Sequence, residues 1–115
     1  MTDLRLLNYR VIQAYSKTYP DPIRGKRGDA LEIGEPDPDN PDWIWCVGPE
    51  RRWGWVHDSV IDRARSCLSE DYDARELDVE VGLMVTVEKT LSTWAWCITE
   101  EGAAGWVPVK CLERP

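Results

Sequence analysis

The sequence predicts an all-β protein made of two copies of one small unit. Three observations lead there. The segment WIWCVGPERRWGWVHDSVID from Trp43 aligns without a gap to WAWCITEEGAAGWVPVKCLE from Trp94, at an offset of 51 residues. The runs between turn signals are short and rich in β formers. No stretch sustains a helical period.

Upstream of these blocks, IRGKRGDALEI from Ile23 matches LDVEVGLMVTV from Leu77 at an offset of 54. The extra residues of the first copy fall in EPDPDNPD, a solvated, turn-forming loop with three prolines and four acidic groups. Leu4, Leu6 and Leu7 suit a short capping strand or helix. Ala30–Ile33 and Met84–Glu88 read as strands. In Trp43–Val47, alternation puts Trp43, Trp45 and Val47 on one face and Ile44 and Cys46 on the other, core face. Gly48–Arg52 supplies a turn, and Trp53–Val56 returns. Closed as a hairpin, this sets Trp43 across from Trp55 and Trp45 across from Trp53, a ladder of indoles. The second copy keeps Trp94 with Trp106 and puts Ala104 at the inner position. The expected division is 1–63, with an N-terminal extension over 1–9, and 64–115. Each half is small for its own core, and large aromatic rings offset this.

Composition narrows the function. The chain has 115 residues, 14 basic and 21 acidic side chains and a net charge of −7. Neither half is basic, so nucleic acid is not the expected partner. His57 is the single histidine. A catalytic triad or multi-histidine metal site would have to be built around it, so no enzyme, no metal and no cofactor is expected. No apolar run is long enough to span a bilayer. Asp3, Arg5 and Arg10 interrupt what would be the apolar core of a signal peptide, so the expected place is the cytoplasm. The four cysteines, at 46, 67, 97 and 111, form no CxxC pair. They read as buried thiols, with a Cys67–Cys111 bond left open. The acidic run from Glu70 to Glu80 lacks the glycine-centred spacing of a calcium loop.

The order of these blocks resembles the Src homology 3 (SH3) family, in the tandem form of short bacterial variants. DYDA from Asp71, ELDV from Glu76, Gly82, Trp94 and GWVP from Gly105 carry the likeness, which runs from Val11 to Glu113. The resemblance implies two five-stranded SH3-like barrels packed together. It also implies a peptide groove in each. In the second copy the groove positions are Tyr72, Glu76, Trp94, Trp106 and Pro108, with Cys111 at the last tyrosine position. There the loop between Tyr72 and Leu77 is about three residues short of the family spacing. In the first copy the groove positions are Tyr15, Trp43, Trp55 and His57. Gln13, Pro22, His57 and Val60 stand where the family has tyrosine, acid, proline and tyrosine.

The resulting expectation is a non-catalytic module that binds a proline-rich or basic protein segment through exposed tryptophans, with no membrane role. Two other readings of the indoles stay open. They could be buried between barrels or subunits of an assembly adaptor, or they could hold a small molecule or cell-wall ligand. Trp45, Trp53 and Trp96 are expected to serve packing.

Overall fold

The computed structural model describes residues 8–18 and 21–115. Leu4, Leu6 and Leu7 lie outside them. The fold is all-β, with several small sheets and no α-helix among the described residues. None of these sheets closes on itself. Nor, among the described residues, is any helix long and apolar enough to cross a membrane.

The chain forms two compact units, and their boundaries differ from the expected division at residue 63. One unit is split in sequence: Met1–Thr18 with Glu76–Pro115. The other, Tyr19–Arg75, is inserted between its parts.

In the split unit, β1 (Asn8–Val11), β9 (Met84–Leu91), β10 (Trp94–Thr99), β11 (Ala104–Pro108) and β12 (Leu112–Glu113) form one sheet in the order β11-β10-β9-β1-β12. A 3-10 turn, Val109–Cys111, leads into β12. The core joins Val11 and Cys111 to Leu77, Val79, Val85, Val87, Ala95, Cys97 and Val107. Residues of the first eleven thus complete a core otherwise made from the last forty.

In the inserted unit, β3 (Glu32–Pro36), β4 (Trp43–Val47) and β5 (Trp53–His57) form a three-stranded sheet. Two short pairs complete the unit: β2 (Arg24–Gly25) with β8 (Tyr72–Asp73), and β6 (Ile61–Asp62) with β7 (Cys67–Leu68). Ile23, Leu31, Ile44, Cys46, Val56, Val60, Leu68 and Tyr72 are buried.

The two units repeat each other's connections. Val11 lies across from Leu112 in the split unit, and Leu68 across from Ile61 in the inserted one. Gly82 donates to Val11 O and Val11 to Leu83 O; Gly28 donates to Leu68 O and Leu68 to Asp29 O. Tyr15 bridges to Val79 as Tyr72 pairs with Gly25. Both turns, Glu80–Leu83 and Lys26–Asp29, need a positive φ at their third residue, and glycine supplies it: Gly82 at 96° and Gly28 at 91°. Each unit therefore uses the leading strand of the other copy. The segment around Val11 completes the second motif block, and the segment around Leu68 completes the first.

The core face of β4 is as alternation predicts: Ile44 and Cys46 are buried at 2% and 1% exposure. The hairpin register is not. Trp43 lies across from His57, Trp45 from Trp55, and Val47 from Trp53. In the split unit Trp94 faces Pro108, Trp96 faces Trp106, and Ile98 faces Ala104. The first turn explains its two-residue slip. Gly48 N donates to Arg52 O, and Pro49–Arg51 makes a 3-10 turn with Glu50 and Arg51 both at φ 59°. The loop is Gly48–Arg52, as expected, and it makes Val47 and Trp53 the flanking pair, which sets every other pair two residues from the expected register. A slip of two leaves every side chain on its expected face.

The exchange of leading strands makes a test. The fragment Tyr19–Arg75 folds cooperatively alone, whereas 1–63, which lacks Leu68 and Tyr72, does not; near-ultraviolet dichroism and urea titration distinguish them. In the full chain Leu68→Ala, at a site 1% exposed, costs the inserted unit about 2–5 kcal/mol.

Candidate functional site

The exchange re-sorts the expected groove residues. Tyr15, expected beside Trp43, Trp55 and His57, belongs to the split unit with Glu76, Trp94, Trp106 and Pro108. Tyr72, expected with that second set, belongs to the inserted unit with Trp43, Trp55 and His57. The cause is the strand pairing just described, which carries each tyrosine across with its strand.

In the split unit β10 and β11 set Trp94 across from Pro108. The Tyr15 ring meets the Trp94 indole edge to face, with centroids 5.7 Å apart and planes at 81°. Both rings are half-buried, and Pro108 is buried. Glu76 lies at the margin. Its Oε1 accepts from the Tyr15 hydroxyl at 2.8 Å, from Thr18 N at 2.9 Å and from Thr18 Oγ1 at 3.0 Å. Asp78 Oδ1 accepts from Lys17 N at 2.7 Å. Burial and then the bond to the Glu76 carboxylate push the Tyr15 phenol well above its ordinary range. The Tyr15–Trp94 surface, with Pro108 buried across the strand pair, is thus apolar, aromatic and held from one side by a carboxylate.

The inserted unit closes the same positions. Tyr72 is 5% exposed, and its hydroxyl donates to Trp55 O at 3.0 Å. Trp43 is 7% exposed, and His57, across the strand pair, sets its ring edge-on at 5.0 Å. His57 Nδ1 also accepts from Ser59 N at 3.2 Å, which caps the 3-10 turn Asp58–Val60. The hydrogen-bond acceptor in this unit is a backbone carbonyl because Pro22 stands where the other has Glu76.

Two of the four tryptophans expected in the grooves, Trp43 and Trp106, are therefore buried. Trp106, like Trp43, is covered: its ring packs at 5.3 Å against Trp96, Lys89 Nζ stands 5.8 Å from its centroid, and Glu76 bridges alongside it. Trp94 is half-open. Trp55 is half-buried and shares an aromatic cluster with Trp45 and Trp53, two residues expected to serve packing. Trp53 is 49% exposed. Composition alone gave no reason to separate Trp53 from the rest; its replacement by Ala104 in the second copy was the available signal.

A pocket of about 430 Å³ in the split unit is lined by Leu77, Leu83 and Met84 with Asp78, Glu100 and Glu101 among others. It includes none of the expected site residues. All four thiols are free, so Cys67 and Cys111 are not joined. Burial raises the Cys97 thiol to about 12 and pushes Cys46 and Cys111 up as well, which disfavours the nucleophilic thiolate. No group of histidine, cysteine and acidic side chains that could hold a metal occurs among the described residues.

Compared with protein-family models and with curated proteins, the chain matches none.

The Tyr15 hydroxyl gives a pH test with a fixed sign. Its raised value means that the unfolded chain loses this proton first. The stability it contributes is whole below the unfolded value of about 10 and declines as pH rises beyond it. Tyr15→Phe removes a hydrogen bond to a carboxylate, so it destabilises the split unit at pH 7 by about 1–2 kcal/mol. It also flattens the alkaline limb. Urea midpoints taken between pH 7 and 11 check both.

Proposed function

We propose that the chain is a binding module, and that the Tyr15–Trp94 surface of the split unit receives an extended, proline-rich segment of another protein. The edge-to-face pair of Tyr15 and Trp94, left half-open while its counterpart in the inserted unit is buried, carries this reading. Rigid aromatic walls favour a ligand whose own backbone is pre-ordered, because little entropy is lost on docking. A proline-rich segment fits better than a basic one here, since Glu76 Oε1 already accepts three hydrogen bonds.

The SH3-like reading of each unit belongs to the same proposal. In support of it, each unit has a strand pair ending in a 3-10 turn and a short final strand, and each sets a tyrosine of a leading segment near that turn. Binding rather than catalysis is favoured by buried thiols with raised proton affinity and by a histidine engaged in capping.

The burial of Trp43 and Trp106 supports a structural role for those two indoles, which is the adaptor reading confined to part of the molecule. Screening a proline-rich peptide library by tryptophan fluorescence, and then titrating the best peptide, tests the proposal. Trp94→Ala weakens that peptide at least tenfold, in line with about 1.4 kcal/mol or more for a central aromatic contact. Equal affinity in the variant refutes the groove.

A further inference from the structure

The hairpin turns of the two units can be compared residue by residue. At the offset of 51, residues 48–52 of the inserted unit match residues 99–103 of the split unit. The same backbone bonds close both turns. Gly48 N donates to Arg52 O at 2.8 Å, and Thr99 N to Ala103 O at 2.9 Å. Arg51 N donates to Gly48 O at 3.2 Å, and Gly102 N to Thr99 O at 3.0 Å. The fourth residue has a positive φ in each, 59° at Arg51 and 90° at Gly102.

What the turns carry differs. The inserted unit's turn holds a carboxylate together with the guanidinium that neutralises it. Arg52 Nη1 donates to Glu50 Oε2 at 2.6 Å, and Arg52 Nε donates to Asp21 Oδ1 at 2.9 Å. In the split unit Glu101 keeps the position of Glu50, but Ala103 takes that of Arg52. Glu100 adds a second carboxylate where the inserted unit has Pro49. Glu100, Glu101 and Ala103 line the pocket of about 430 Å³, with Asp78 and the apolar side chains of Leu83 and Met84. Leu83 and Met84 are exposed, as is Val81 on the turn that leads to them. Asp78 Oδ1 accepts from the backbone N–H of Lys17. Among the described residues no arginine or lysine side chain forms an ion pair with Asp78, Glu100 or Glu101.

The pocket has the volume of a ligand site, about 300–1,000 Å³, and combines apolar walls with a few charges of one sign. Like charges around one pocket repel, and a cation placed among them relieves this. Apolar walls favour a cation on an apolar stem over a bare ion. The matched turn shows which cation the scaffold accepts: a guanidinium, whose forked donors there span two carboxylates. We propose that the pocket receives an arginine side chain presented by another protein. Its guanidinium binds Glu101 as Arg52 binds Glu50, Glu100 and Asp78 supply further acceptors, and its methylene stem lies against Leu83 and Met84. A protein partner also covers the exposed apolar rim at Val81, which a free amine would leave wet. The pocket shares no residue with the Tyr15–Trp94 surface, so the site stands whether or not that surface binds peptide.

Titrating the full chain with Nα-acetyl-arginine methylamide, followed by the backbone amide resonances, tests the assignment. The citrulline analogue, of nearly the same shape and no charge, is the control. Saturable shifts confined to residues 77–84 and 99–103, absent with citrulline, support it. The matched turn at 48–52 already holds its own arginine and stays silent. Ala103→Arg supplies that internal guanidinium to the split unit and weakens binding about tenfold; Glu101→Gln does the same by removing the charge. Both positions are exposed, and circular dichroism confirms that each variant is folded. Equal shifts with citrulline, shifts spread evenly over the acidic surface, silent amides in both pocket segments, or undiminished binding by either folded variant overturns the proposal.

Discussion

One carboxylate oxygen holds the split unit together at the point where its chain is interrupted. The chain leaves that unit at Thr18 and returns at Glu76. Glu76 Oε1 accepts from Thr18 N, Thr18 Oγ1 and the Tyr15 hydroxyl, so the exit and the re-entry are tied directly to each other. Such bonds to an ionised acceptor are stronger than neutral ones. They act with the β1 pairings, which join Asn8–Arg10 to Met84–Thr86 and Arg10–Val11 to Leu112–Glu113. Without this closure the core around Val11 would lose the strand that completes it.

The inserted unit lowers the cost of that closure. A long flexible excursion between Thr18 and Glu76 would carry a loop-closure penalty. Here the excursion folds with its own ends paired: Ala74 N donates to Ile23 O, and Arg24 lies across from Asp73. The split unit thus receives two chain ends that are already close. Insertion of one unit into another is tolerated where the inserted ends meet. The same junction explains why the two aromatic surfaces diverge. Glu76 follows the junction and draws the Tyr15 hydroxyl outward to a carboxylate at the margin. Pro22 holds the corresponding place in the inserted unit and cannot accept from a side chain there, so Tyr72 turns to the Trp55 carbonyl and is buried.

The repeat, the β class and the face assignments were legible because they depend on local periods. Ile44 and Cys46 point inward for the reason alternation gives, and a two-residue slip cannot change that. The register was legible too: a turn of Gly48–Arg52 leaves Val47 and Trp53 as the flanking pair, so Trp45 must face Trp55 and Trp43 must face His57; what the sequence does not show is that Glu50 and Arg51 take left-handed conformations there. The exchange of leading strands was hidden. Val11 and Leu68 are both apolar, each stands four residues before a tyrosine, and either could fill either core. Chain length decides between them. From Tyr72 to Leu77 there are too few residues for a wide loop within one unit, whereas the excursion from Tyr15 spans a whole folded unit. That shortness was visible as a departure from the family spacing, and its meaning lay in the pairing rather than in a missing piece. The grouping of site residues followed from the pairing, so it was misread with it.

Duplication also explains why burial of the tryptophans could not be inferred from their number. A core position is constrained by volume, and the two copies agree there: Cys46 with Cys97, Val56 with Val107. A position on the outer face is constrained only by what covers it. Trp96 and Trp106 have a lysine of their own unit nearby, and Trp106 is sealed at 3% exposure. Trp45 and Trp55 keep the same mutual geometry, and Trp53 beside them is 49% exposed.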